Sequence, residues 1–102
     1  MDKFEGKRVA ANLFRGVEAV GGKLFFEDTY MKFVSHIFNI QRGESIIFYN
    51  DIIRIEKIKT LGIVPNGLSV VVRSEEGEKQ FKFVVNKRNR IFDFLMSKTN
   101  IN

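Results

Sequence analysis

At 102 residues with 44% hydrophobic side chains, the chain has material for one domain and one core, and little left over to enclose an active site. Cysteine is absent, which excludes a disulfide framework and thiolate metal sites and makes a reducing cytoplasm the expected compartment. The 17 basic and 12 acidic residues leave a net charge of +5, which attracts phosphates or acidic membranes through long-range fields, and 11 Phe with no Trp make the core aromatic.

Residues 1–8 are charged and lack the apolar stretch of a signal peptide, so they read as a lead into a single domain over 9–98. No run approaches the roughly 20 apolar residues of a membrane span. Between residues 13 and 85, short apolar runs alternate with closely spaced turn signals, the pattern of an antiparallel meander of seven strands. A first strand at 13–20 is expected to meet a second at 23–27 through Gly21-Gly22, since two glycines can take the positive φ of a two-residue hairpin. Asp28-Thr29 turns into a third strand at 30–36. After a looser segment, 37–43, come strands at 44–49 and 52–58 joined at Asn50-Asp51. Leu68, Val70 and Val72 alternate on the sixth strand, and Phe81, Phe83 and Val85 on the seventh, with Glu75-Glu76-Gly77 between them. The period then changes. Ile91, Phe94, Leu95 and Lys98 have helical spacing, Asn86 is the expected N-cap, and 99–102 form a frayed tail.

Seven antiparallel strands in so short a chain have to curl over to cover their apolar faces, and one amphipathic helix can plug the open end. The expected fold is therefore mainly β: a pleckstrin-homology-like seven-stranded antiparallel barrel or sandwich capped by one C-terminal α-helix.

Four spaced blocks, "ANLFRGVEAVGGKLFF", "SHIFNIQRGE", "TLGIVPNGLSV" and "KFVVNKR", resemble the bacterial branch of the GRAM domain family. The resemblance covers most of the chain and implies a non-catalytic module that binds membranes or proteins. It also implies phosphate contacts, in lipid-binding relatives, among the loops after strands one, three and six. Here the sixth loop carries Glu75, Glu76 and Glu78, which repel an anionic headgroup and disfavour specific phosphoinositide recognition.

Little in the residues points to catalysis. His36 is the only histidine and reads as a strand-end residue, because no nucleophile with a third orienting group accompanies it. No cofactor, metal site or small-molecule substrate is expected. Nucleic acid is disfavoured as a partner because Phe81 and Phe83 alternate with Lys82, placing aromatic and basic groups on opposite faces rather than together.

Three groups carry the contact hypotheses. Lys87, Arg88 and Arg90 oppose the helix dipole, at typically 0.3–1 kcal/mol each, and with the free N–H groups of the helix start they mark an anion or lipid contact. The alternative is a solvated face in which Arg90 pairs with Asp93. On the fourth strand, Ile46 and Phe48 share one face and Ile47 and Tyr49 the other; Ile47 and Tyr49 are taken as the outer, interacting face unless another segment covers them. In the loop between strands five and six, Pro65-Asn66-Gly67 is expected to reverse the chain and lay Leu61, Ile63 and Val64 over the barrel as a structural lid, with a tip that enters a membrane or a partner as the rival arrangement. The resulting expectation is a cytoplasmic binding module acting through a protein partner or homo-oligomer, with peripheral contact to acidic lipid at the inner face of the membrane as the alternative.

Overall fold

The computed structural model describes residues 4, 6–36, 44–99 and 101. Seven antiparallel strands form one sheet, and an α-helix follows them. The strands are β1 (Arg8–Arg15), β2 (Glu18–Phe26), β3 (Tyr30–Ser35), β4 (Glu44–Phe48), β5 (Ile52–Thr60), β6 (Val64–Ser74) and β7 (Gly77–Val85), and the helix is α1 (Arg88–Lys98). The spatial order is β4-β3-β2-β1-β7-β6-β5, so the first and last strands, β1 and β7, pair at the centre and the two mid-chain strands, β4 and β5, become the free edges. This is the expected architecture: mainly β, with the strand order and terminal helix consistent with a pleckstrin-homology-like sandwich. The expected looser segment at 37–43 lies outside the described residues.

The period-two pattern decides which side chains turn inward. Leu24 and Phe26, Met31 and Phe33, Leu68 and Val70, and Phe81 and Phe83 are all buried on the concave side of the sheet. Lys82 stays exposed on the opposite face. Helical spacing does the same for α1, whose buried residues are Ile91, Phe94 and Leu95. The helix packs against β5 and β6, and its Phe94 also meets Phe26 at the end of β2 at 5.3 Å and Tyr49, just after β4, at 6.0 Å between ring centroids, both edge-on. Each such ring contributes about 1.5–3 kcal/mol by leaving water, so α1 is held by burial rather than by helix propensity. At its far end Lys98 reaches Asp28 at 3.9 Å, a cation where the helix dipole favours one.

Several expected boundaries move. The first hairpin does not turn at Gly21-Gly22: the chain reverses at Gly16 and Val17, with Arg15 paired to Glu18. Gly16 supplies the positive φ, at 64°. Gly21 and Gly22 instead lie inside β2, where a Cβ on Gly22 would sit 2.2 Å from the Val34 carbonyl oxygen and 2.7 Å from the Phe33 ring. The missing side chain lets two strands approach closely where the sheet bends. Glycine pairs signal both functions equally well, which is why the sequence pattern misplaces the turn.

Within the expected lead of residues 1–8, the described positions are docked. Phe4 packs 5.6 Å from Phe26 and 5.9 Å from Phe94, and the Gly6 N–H donates to the Phe26 carbonyl. At the other end Thr99 is buried and Ile101 packs against the core, so the tail is docked at these two positions rather than frayed. The helix N-cap is Lys87 and not Asn86, and no side chain caps the first turn.

Candidate contact surfaces

The greasy loop between β5 and β6 is a tight hairpin. Leu61 and Gly62 both take positive φ, at 53° and 75°, and the Ile63 N–H donates to the Thr60 carbonyl at 3.1 Å. Two successive residues in this region are what two-residue hairpin turns of the mirror-image kind demand. The reversal therefore happens before Pro65-Asn66-Gly67, which belong to β6. Asn66 accepts the Thr60 hydroxyl at 2.5 Å and pins the base of the hairpin, while Gly67 is buried where a Cβ would come 2.6 Å from Ile58.

This geometry overturns the lid. Leu61 is 91% exposed and Ile63 76%, so these two side chains cover nothing and project from the end of the hairpin, while Val64, at 37%, is partly covered as the first residue of β6. The sharp turn at Leu61-Gly62 carries them away from the barrel mouth. Leu61 is unusual twice over: a branched side chain gains nothing from solvent, and a non-glycine residue in the left-handed region costs about 1–2 kcal/mol.

The basic helix start lies beside the base of this hairpin. Arg88 donates from Nη1 to the Ile58 carbonyl at 2.9 Å, tying the first turn of α1 to the last part of β5, and its Nε is buried without a partner. Arg88 is therefore a half-buried strut and not a free anion ligand. Lys87 and Arg90 remain exposed, with Lys87 in the left-handed region at φ 58°. Lys59 is exposed on β5, and Lys57 stands over the Phe92 ring at 4.8 Å, so β5 and the start of α1 both carry cations on the stretch that leads to the apolar tip. The nomination of Lys87, Arg88 and Arg90 thus divides, with Arg88 structural, the other two solvent-facing, and the lysines of β5 missing from it.

On β4 the structure reverses the expected face. Ile47 and Tyr49 are 2% and 3% exposed and sit in the core, whereas Ile46 and Phe48 are 48% and 50% exposed. Tyr49 is fixed inward by its hydroxyl, which donates to the Glu27 carbonyl at 2.9 Å. Because both phases of "SIIFY" are apolar, alternation cannot say which one faces in; the register with β3, Met31 opposite Ile47, decides it. The outer face of β4 continues onto β3 through Tyr30, whose ring lies 5.7 Å from Phe48.

His36 lines a shallow cleft of about 240 Å³ floored by Gly21 and Gly22, with Asn12 and Asn86 as its polar neighbours. None of these is a nucleophile or a carboxylate. Among the described residues, no group of three or more His, Cys, Asp or Glu is placed to hold a metal ion. Nor is any described helix long and apolar enough to cross a membrane.

No protein-family model matches the chain, and no curated protein matches it significantly. A solved structure, the C-terminal domain of an unknown protein from Leishmania infantum, superposes with a TM-score of 0.71 at 19% identity over 90% of this chain and 80% of that one. The likeness shows the fold alone.

Proposed function

We propose that the protein is a non-catalytic binding module that docks its β5–β6 end on an acidic membrane surface at the cytoplasmic face. The observation that carries the reading is Leu61, an apolar side chain held strained and almost wholly in water at the end of a hairpin. Strain maintained with no packing in return points to a use outside the folded core. Lys57, Lys59, Lys87 and Arg90 around the tip supply the complementary attraction, about 1 kcal/mol per basic residue near an anionic surface. The tip adds burial of Leu61 and Ile63 at the headgroup boundary. The resemblance to GRAM domains agrees with this class of target, and the site lies away from the acidic β6–β7 turn of Glu75 and Glu76, which would repel lipid.

Sedimentation with vesicles of phosphatidylcholine, with and without phosphatidylserine, tests the proposal. The protein is expected to bind only the anionic vesicles, with affinity falling as salt shortens the screening length. Leu61→Ser with Ile63→Ser, and separately Lys87→Glu with Arg90→Glu, should each weaken binding about tenfold or more. Equal binding of neutral vesicles, or unchanged binding by both double variants, would overturn the proposal.

A further inference from the structure

The two free edges of the sheet are built differently. The exposed positions of β5 carry Arg54, Glu56, Lys57 and Lys59, and α1 packs beside it, the charged and covered edge that discourages strand addition. β4, reading Glu-Ser-Ile-Ile-Phe, has no such guard beyond Glu44, and no described strand pairs with it on its far side.

The hydrogen-bond phase shows what that far side offers. The Tyr49 N–H donates to the Thr29 carbonyl at 3.1 Å. Bonding alternates along an antiparallel ladder, so Ile47 and Ser45 also direct their backbone groups to β3, opposite Met31 and Phe33. Glu44, Ile46 and Phe48 therefore point their N–H and C=O groups away from the sheet. These same residues carry the side chains of the half-exposed outer face. One short segment thus presents unpaired backbone groups and apolar side chains in the same phase, which is the surface a further β-strand covers.

We infer that the β4 edge pairs with the β4 edge of a second copy of this chain, antiparallel about a two-fold axis at Ile46. The segment is complementary to itself in that arrangement. Ile46 falls opposite Ile46 of the other copy, Glu44 falls opposite Phe48, and all six outer side chains share one face. The row Phe25, Lys32, Ile46 then continues across the axis into its symmetry mate, joining two sheets into one. Charge permits the approach: Lys32 is neutralised by Glu44 at 3.7 Å and rests over the Phe25 ring at 5.7 Å, so this patch is locally balanced in a chain of net charge +5. A strongly acidic partner would find its complement at the β5–β6 end instead.

The test uses the absence of native cysteine. In a hydrogen-bonded antiparallel pair the facing Cα atoms lie about 5.5 Å apart, within disulfide range. Ile46→Cys is expected to give a covalent species of twice the 11.8 kDa chain mass on mild oxidation, while Arg54→Cys on the opposite edge does not. Analytical ultracentrifugation of the unmodified chain should show concentration-dependent association, and Ile46→Lys with Phe48→Lys should raise the midpoint concentration by at least about tenfold. Thermal melting confirms that these exposed-face variants stay folded, and Ile46→Pro supplies an independent arm, removing only an outward N–H. A chain that stays at 11.8 kDa at millimolar concentration, equal cross-linking through Arg54→Cys, or association unaffected by both the double variant and Ile46→Pro would overturn the inference.

Discussion

Replacing Leu61 by glycine should make the protein more stable while weakening its hold on acidic vesicles. At φ 53° the leucine backbone occupies the left-handed region, where a side chain costs about 1–2 kcal/mol and glycine almost nothing. Against that stands the extra backbone entropy glycine loses on folding, about 0.5–1 kcal/mol. With 91% of the side chain in solvent, truncation removes almost no burial, and no hydrogen bond of the turn involves it. The net gain is about 0.5–1 kcal/mol, which for a domain of this size raises the melting temperature by roughly 2–8 °C. Chemical denaturation, with the m-value checked for constancy, measures it. If Leu61→Gly instead unfolds more readily than the parent by over about 0.5 kcal/mol, Leu61 is making contacts that its exposure denies, and the reading of the tip as a strained, projecting group is wrong.

Ile63→Ala, which a lid would have made costly, should change stability by less than about 0.5 kcal/mol in urea denaturation. Gly22→Ala should destabilise by about 3 kcal/mol or more, because the new Cβ meets the Val34 carbonyl, whereas Gly16→Ala, with open space around it, should cost only the strain of its positive φ, about 1 kcal/mol; paired denaturation curves separate the two. Phe4→Ala should lower stability by about 1–3 kcal/mol, since the ring bridges Phe26 and Phe94, and hydrogen exchange should report the loss at the start of β1. Arg88→Met keeps the aliphatic packing of the side chain but removes the bond to the Ile58 carbonyl, and should cost about 1–2 kcal/mol by calorimetry while leaving α1 helical.

Much of the scaffold is legible in the residues because it rests on periodicity. Leu68 and Val70 face Phe83 and Phe81 across one hairpin as alternation requires, and Ile91, Phe94 and Leu95 can be aligned only as a helix face. What escapes is whatever depends on a neighbour. Gly21-Gly22 looks like a turn until the Val34 backbone is seen pressed against it, and the true turn at Gly16-Val17 has no partner residue to announce it. The phase of β4 is undetermined in a run apolar on both sides, so the buried pair and the exposed pair change places. At the β5–β6 hairpin, Pro65-Asn66-Gly67 is the stronger local turn signal, but Gly67 is held in the ladder by its close approach to Ile58, and the weaker Leu61-Gly62 takes the reversal. The lysines of β5 go unnoticed because their relation to the helix start exists only in the folded packing, through the Arg88 bond and the Lys57–Phe92 contact.

The pairing of β1 with β7 also bears on how the chain reaches its native state. Ala11 and Leu13 lie beside Val85 and Phe83, and Phe4 beside Phe94, so the central seam joins segments from near opposite ends of the sequence. During synthesis β1 and β2 can close their hairpin early, but the far side of β1 waits until β7 has left the ribosome, and the ring of Phe26 stays uncovered until α1 follows. Contacts of such long sequence separation slow folding, to the millisecond-to-second range common for β-rich domains, and leave a partly formed sheet with open edges in the interval. Co-translational assembly should therefore end in one late cooperative step, set by release of the last helix rather than by the order in which the strands appear.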